Sequence, residues 1–475
     1  MINSALDLPA TELRGKIVKR HLSDVFIDLI MKVYLTFMIF DGIRSYMTIG
    51  SSISFVKDIL LILIVIFWIL KADFKISRYE AFSGNLTFLV YILFVGTAVI
   101  YLNDVDANMV YRSYVGNSSP TGFALHFRIV ESNIILLLFY KYQGLTNRPI
   151  KHLADFFIYL CVGYVVLTLI AYFVIDLSAI FEAHWFGRIS IGYPTSDTQM
   201  LSMGLAYLLF TDSFKGFKRN AFTAIVALGI MMQSTATGMI SVVVIVLFYI
   251  YFNFNTRNLM KLLQPRFLLI LSFASLLFLG AVYVLNTKLS RESTENFYLI
   301  LDAKVEYIGN KIYGFLPFTD DNESSFESSS DNKFVGASEE SRKSKIDRTF
   351  MTKKDVLSMV IGGPASLAAG IENQHYTLLR AYGYVGLCIY YLWIAYLFLK
   401  AHSYRRYWQG KLMLVAAVLL LISNLSTITS YMFNIITAFG LVYAYAHITV
   451  RDKIAGQLAM ISKNNLSDSK GRHTT

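Results

Sequence analysis

Cysteine and charge are both scarce in this chain. Only two cysteines occur in 475 residues. Both, Cys161 and Cys388, fall inside long apolar runs, which excludes the disulfide framework of a small secreted domain. Charged residues make up 16% of the chain, too little for the surfaces of the soluble domains this length would otherwise form. No ten-residue segments alternate apolar with polar, which excludes a β-barrel. The chain also lacks a Walker loop, a dinucleotide glycine fingerprint, an HExxH helix and a paired CxxC. "NDVD" offers Asp104 and Asp106, but two short acids in a loop are ordinarily just solvated. No metal and no cofactor is expected.

Apolar residues are abundant instead. They make up 55% of the chain, and the mean hydropathy is +0.51. A bilayer core requires roughly 20 apolar residues per helix. Runs near that length lie at 25 to 41, 54 to 70, 85 to 102, 122 to 140, 154 to 175, 190 to 211, 219 to 233, 236 to 252, 267 to 286, 375 to 399, 410 to 425 and 428 to 448. They are apolar on nearly every face, the pattern of helices in lipid. The expected fold is an all-α polytopic integral membrane protein of about twelve transmembrane helices. Helices 1 to 9 occupy 1–286, a large loop on the outer side of the membrane 287–374, helices 10 to 12 occupy 375–448, and a basic cytoplasmic tail 449–475.

The net charge of +11 follows this topology. Basic residues crowd alternate connections, as in Arg14, Lys16, Lys19 and Arg20, then Lys71, Lys75 and Arg78, then Lys141, Arg148 and Lys151. The short connections between them hold only Arg44, Arg112 and Arg188, with Lys57 just inside the second span. By the positive-inside rule both termini are cytoplasmic, and no nucleic-acid partner is needed to explain the charge. The first run lacks a small-residue cleavage site and leads into a second span, so it reads as a retained helix. The loop between helices 9 and 10 has a serine- and acid-rich middle, "TDDNESSFESSSDNKFVGASEESRKSK", flanked by apolar segments. It suits a lid as well as a surface insertion. Tight hairpins at 221 to 252 and 412 to 445 each turn in a Ser/Thr-rich knot.

An ionisable side chain inside a span is costly unless paired or wet, so each one is a functional candidate. The fourth span enters as "TGFALHFRIVESN", with His126, Arg128 and, at i, i+3 from the arginine, Glu131. A structural Arg–Glu clasp is the competing reading. "HWFGRISIGYPTSD" brings His184 and Arg188 to the same side, then Pro194, which delays the sixth helix. The tenth span opens as "NQHYTLLRAYGYVG": His375 at its mouth, with Tyr376 and Arg380 sharing a helical face. A helix N-terminus beside Arg380 and Arg188 suits a phosphate or pyrophosphate. Arg291, Arg342 and Arg348 of the large loop are further cations, each one otherwise merely solvated. Near neutral pH a histidine can take a proton from a hydroxyl, although a lone histidine at a membrane interface is more often an ordinary interfacial residue.

"ENQHYTLLRAYGYVGL" (372 to 387) resembles the signature of the bacterial O-antigen ligase and polymerase superfamily. "GRISIGYPTSD" is similar to that family's Arg/Gly…Pro-Asn stretch, with Thr195 in place of the asparagine. "QSTATGMIS" (233 to 241) is similar to its Ser-Arg-Thr-Gly turn, without the arginine. The resemblance implies an integral-membrane glycosyltransferase fold working at the periplasmic face of the bacterial inner membrane. Its substrate would be an undecaprenyl-diphosphate-linked glycan, with no nucleotide sugar and no metal. It also implies His375 as base and Arg188 on the diphosphate, with Arg380 or Arg291 in place of the missing arginine. Tyr376, Arg128 and Glu131 complete the expected substrate-binding set.

The expected activity is polymerisation of repeat units into O-antigen, capsule or exopolysaccharide. Membrane lipid, a chain-length regulator and a flippase would be its partners. A ligase delivering finished polymer to lipid A-core is the nearest alternative. A flippase or transporter for lipid-linked glycans, and a noncatalytic membrane scaffold, are rivals from other classes.

Overall fold

The computed structural model describes residues 22–41, 50–71, 76–99, 122–175, 189–233, 235–253, 356–363, 374–427, 429 and 432–471. All regular structure among these residues is helical. In chain order the helices are α1 (Leu22–Ile39), α2 (Gly50–Lys71), α3 (Arg78–Ser83), α4 (Leu86–Tyr91, running into a π-turn at Ile92–Gly96), α5 (Gly122–Thr146) and α6 (Lys151–Phe173). They continue with α7 (Pro194–Phe210), α8 (Gly216–Met232), α9 (Ala236–Asn253), α10 (Val356–Ile361), α11 (Gln374–Ser403), α12 (Trp408–Ser426) and α13 (Phe433–Gly471). A helix stands on each expected apolar run except the ninth, which lies outside the described residues, as does most of the large loop. Where the loop is described, Val356–Ile361 is the short helix α10, and α13 continues past residue 448 to Gly471.

Four described helices are long and apolar enough to cross a membrane: α6, α11, α12 and the Phe433–Met460 part of α13. The way α2 is arranged points the same way. Ile59, Ile62, Ile66 and Ile69 are exposed along one face, while Leu61, Ile64, Trp68 and the cation Lys57 are buried along the other. A helix in water would turn the isoleucines inward and the lysine outward. A continuous exposed isoleucine stripe calls for an apolar surrounding.

At the centre stand α7 and the first half of α13, where nearly every side chain is buried. Pro194 opens α7 at its first turn, where the missing N–H has no helical partner to lose. The first half of α7 is polar and wholly enclosed, with Ser196, Asp197, Thr198, Gln199 and Ser202 all buried.

One end of the bundle is held by ion pairs. Asp24 at the start of α1 pairs with Lys71 at the end of α2 and accepts from Asn147 Nδ2 just after α5 (2.7 Å). One turn on, Asp28 takes Arg148 at 2.5 Å, Lys32 at 2.9 Å and the Tyr142 hydroxyl at 2.5 Å. Glu80 of α3 pairs with Lys141 at 2.6 Å, and Arg451 lies 3.9 Å over the Tyr79 ring. Several of the basic residues that the sequence assigned to one side of the membrane therefore meet at a single end. The starts of α7 and α13 and the kink of α11 lie at the other.

Candidate functional site

α11 carries the expected base and cation, and it is not a straight helix. Gly383 breaks it at φ 64°, ψ −172°, a conformation essentially restricted to glycine. A straight α-helix would hold residues 375 and 391 about 24 Å apart, yet the His375 and Tyr391 rings stand 5.9 Å apart. The segment before Gly383 therefore folds back along the segment after it. Backbone groups released at the break are taken up locally. The Gly363 N–H donates to Arg380 O at 3.0 Å, and the Tyr91 hydroxyl donates to Tyr382 O at 2.9 Å. Gly362, at φ 102°, packs its backbone against Ala381, and a Cβ on Gly383 would run into the carbonyl of Val360. The end of the large loop is thus clasped to the break by backbone contacts and by the Tyr91 hydroxyl, which also reaches Ile361 O at 3.3 Å. The apolar run expected as a span from 375 to 399 lies on α11 and is broken at Gly383, which a run of helix-forming residues does not disclose.

On the folded-back arm Gln374, Thr377 and Arg380 are buried, and His375 and Tyr376 are half-buried. The His375 ring sits edge-on to Tyr376 at 5.3 Å. Arg380 is 9% exposed, and among the described residues its Nε and Nη2 have no hydrogen-bond partner. A guanidinium so enclosed is costly unless an anion answers it. Tyr376 and Arg380 share a face, as their spacing requires. His375 is turned about 140° away from Arg380 around the helix axis, so the arm presents the histidine and the cation on different sides.

The fourth-span residues form a second group. Glu131, on α5, takes Lys57 Nζ from α2 at 2.5 Å and the Tyr34 hydroxyl from α1 at 2.9 Å. Lys57 and Glu131 are 3% and 1% exposed. The ion pair of Glu131 is therefore with Lys57, rather than the local clasp with Arg128. A cation enclosed on a neighbouring helix competes better for a buried carboxylate than one that can reach solvent. Lys57 also contacts Asp58 at 3.1 Å. Lys57 and Arg128 both lie over the ring of Phe433, at 3.8 and 5.6 Å, which makes the start of α13 a meeting point for cations.

His126 links the two groups. Its Nδ1 is hydrogen-bonded to the Tyr382 hydroxyl at 2.9 Å and its Nε2 to Thr97 Oγ1 at 3.0 Å. With both ring nitrogens engaged and the side chain buried, His126 serves the packing of α5 against the break in α11. Arg188, Arg291 and His184 lie outside the described residues. Lys57, Tyr34, Phe433, Tyr382 and Asp197 were not singled out from the sequence as site residues. Lys57 and Asp197 carried a usable signal, a charge within an apolar run. Among the described residues no three His, Cys, Asp or Glu side chains converge as a metal set would.

Among the described residues, fold and site together define a helical bundle, with four helices long enough to span a bilayer, that encloses near one end a guanidinium with two unpartnered nitrogens. No family model matches the chain, and no curated protein matches it.

Proposed function

We propose that the protein is a glycosyltransferase of the periplasmic membrane face that polymerises undecaprenyl-diphosphate-linked repeat units into O-antigen, capsule or exopolysaccharide chains. The observation that carries this reading is Arg380, buried on a folded-back helical arm with two nitrogens unpartnered. A planar guanidinium in that setting suits a phosphate group, and the enclosed surroundings strengthen the attraction. The gathering of basic residues at the far end of the bundle supports a topology of about twelve spans with that end in the cytoplasm.

In this reading His375 accepts the proton of the acceptor sugar hydroxyl, whose oxygen bonds to the anomeric carbon of the donor glycan. The bond from that carbon to the diphosphate oxygen breaks, and the charge left on the diphosphate is held by Arg380, with Arg188 as the further contact implied by the resemblance. Stabilising the leaving group is ordinarily the largest part of such catalysis. The separation of His375 from Arg380 around the arm suits this division, since base and cation act on different atoms. His375→Ala should abolish chain extension while the protein is still made and inserted. Long-chain polymer persisting in cells with that variant would overturn the role. Loss of the gene should leave single repeat units on lipid A-core, whereas bare core with free lipid-linked long chains would point to the ligase.

A second reading, a transporter or flippase for lipid-linked glycan, is favoured by the enclosed Lys57–Glu131 pair and by Asp197, because buried carboxyls among spanning helices often carry coupling protons. Purified protein that moves glycolipid across liposome membranes without ever lengthening it would establish that reading instead.

A further inference from the structure

Asp197 has no part in the glycosyl transfer proposed above, yet among the described residues it is the most completely enclosed acid near the site, at 0% exposure. Its Oδ2 accepts from the Tyr164 hydroxyl of α6 at 2.6 Å and from Ser190 Oγ at 3.3 Å. Its Oδ1 accepts from Asn434 Nδ2 at 2.7 Å, in the first turn of α13. Asn434 also donates to Ser196 Oγ at 3.1 Å. Gly192 comes so close that a Cβ there would lie 2.5 Å from Asp197 Oδ2. The segment around Ser190 is itself tied down, with the Tyr172 hydroxyl donating to Ser190 O at 3.1 Å and the Ile189 N–H donating to Met232 O at 3.3 Å.

Among the described residues no lysine or arginine is paired with Asp197; its donors are all neutral. Burying a carboxyl in this way is costly, and an apolar residue would fill the same volume. What the acid alone supplies at this size is acceptor capacity on both oxygens, so donors from α6, from the segment before α7 and from α13 can converge on one group. The residue before Asn434 is Phe433, the ring over which Lys57 and Arg128 lie.

We propose that Asp197 is a positioning residue: through Asn434 it fixes the first turn of α13, and through Phe433 it sets where Arg128 stands at the substrate end of the bundle. The link to substrate rests on the glycosyltransferase reading, but the link to Arg128 does not. Two variants separate position from charge. Asp197→Ala removes every acceptor. Asp197→Asn keeps Oδ1 for Asn434, and its Nδ2 can donate to the Tyr164 and Ser190 hydroxyls, which are free to turn and accept. Asn434→Ala cuts the same link from the other side.

The first measurement is independent of activity. In a chain with Cys161 and Cys388 replaced by serine, Arg128→Cys is labelled with a charged thiol reagent. The labelling rate should change at least threefold with Asp197→Ala or Asn434→Ala and return to the parent value with Asp197→Asn. A rate indifferent to all three overturns the proposal, and asparagine acting like alanine would show that charge, not position, is what matters. The second measurement is chain extension from a lipid-diphosphate repeat unit. Alanine at either position should raise the donor KM at least tenfold with kcat within about threefold, and asparagine at 197 should restore it. Reduced amounts of folded protein with an unchanged KM would leave Asp197 a purely structural residue and overturn the positioning role. A parent protein inactive in this assay would count against the glycosyltransferase reading alone, because the labelling result stands by itself.

Discussion

Two cations lie toward the same end of this bundle, and they are treated in opposite ways. Lys57 is surrounded by answers: Glu131 at 2.5 Å, Asp58 at 3.1 Å and the Phe433 ring at 3.8 Å. Arg380 is nearly as enclosed, and two of its nitrogens have none. Among the described residues the bundle supplies carboxylates to Lys57 and pairs none with Arg380. The first cation is held by the fold, the second is the one that the proposed function gives to the lipid diphosphate, and the two should respond to substitution with opposite signs.

The largest effect is expected where the answered cation loses its partner. Glu131→Ala leaves Lys57 enclosed with only Asp58 and an aromatic ring, and breaking a buried pair in this way costs about 3–5 kcal/mol. Thermal unfolding in detergent should show a collapse in stability, and a variant as stable as the parent would mean that the pair is not what holds α1, α2 and α5 together. Next comes the break that separates the two groups. Gly383→Ala forces a side chain into a left-handed conformation and against the Val360 carbonyl, at a cost of about 1–3 kcal/mol.

The fold-back itself has a direct test. Cysteines at 375 and 391, in a chain without Cys161 and Cys388, should be joined by a short bifunctional thiol reagent. A straight helix would hold those positions about 24 Å apart and give no crosslink. The smallest effect on stability belongs to the unanswered cation. Arg380→Met should leave the unfolding temperature unchanged or raise it, because it removes an uncompensated charge, while chain extension should fall at least a hundredfold. If this variant unfolds as readily as Glu131→Ala, Arg380 has a structural partner and the contrast between the two cations fails.

The parts of the molecule differ in how readily the sequence discloses them. The helices were legible, because a run such as "DILLILIVIFWILK" has no other stable conformation in an apolar surrounding. Arg380 was legible as a candidate, since an arginine in an apolar run is rare enough to need a reason. The partner of Glu131 was not, because the nearest cation in sequence, Arg128, satisfies the helical spacing rule and nothing local shows that Lys57, 74 residues earlier, lies opposite. The break at Gly383 was hidden for a related reason. Glycines are common in membrane helices, and only the approach of Val360–Gly362 makes this one a reversal. Asp197 stood within the quoted stretch "IGYPTSD" as a charge in an apolar run, but that signal says nothing of what surrounds it. Its enclosure depends on Tyr164 and Asn434, which the sequence places far away.

The Lys57–Glu131 pair also has a history within each newly made chain. Synthesis proceeds at roughly 5–20 residues per second, so the 74 residues that separate the two partners take on the order of 4 to 15 seconds to emerge. Throughout that interval α2 exists without the carboxylate that will neutralise it, and a lysine near the start of an apolar run is costly until it is paired. Asp58, the very next residue, is available as a stand-in from the start. For a chain threaded into a bilayer as it is made, the order in which helices leave the ribosome requires Lys57 to wait beside a temporary partner until α5 delivers the permanent one.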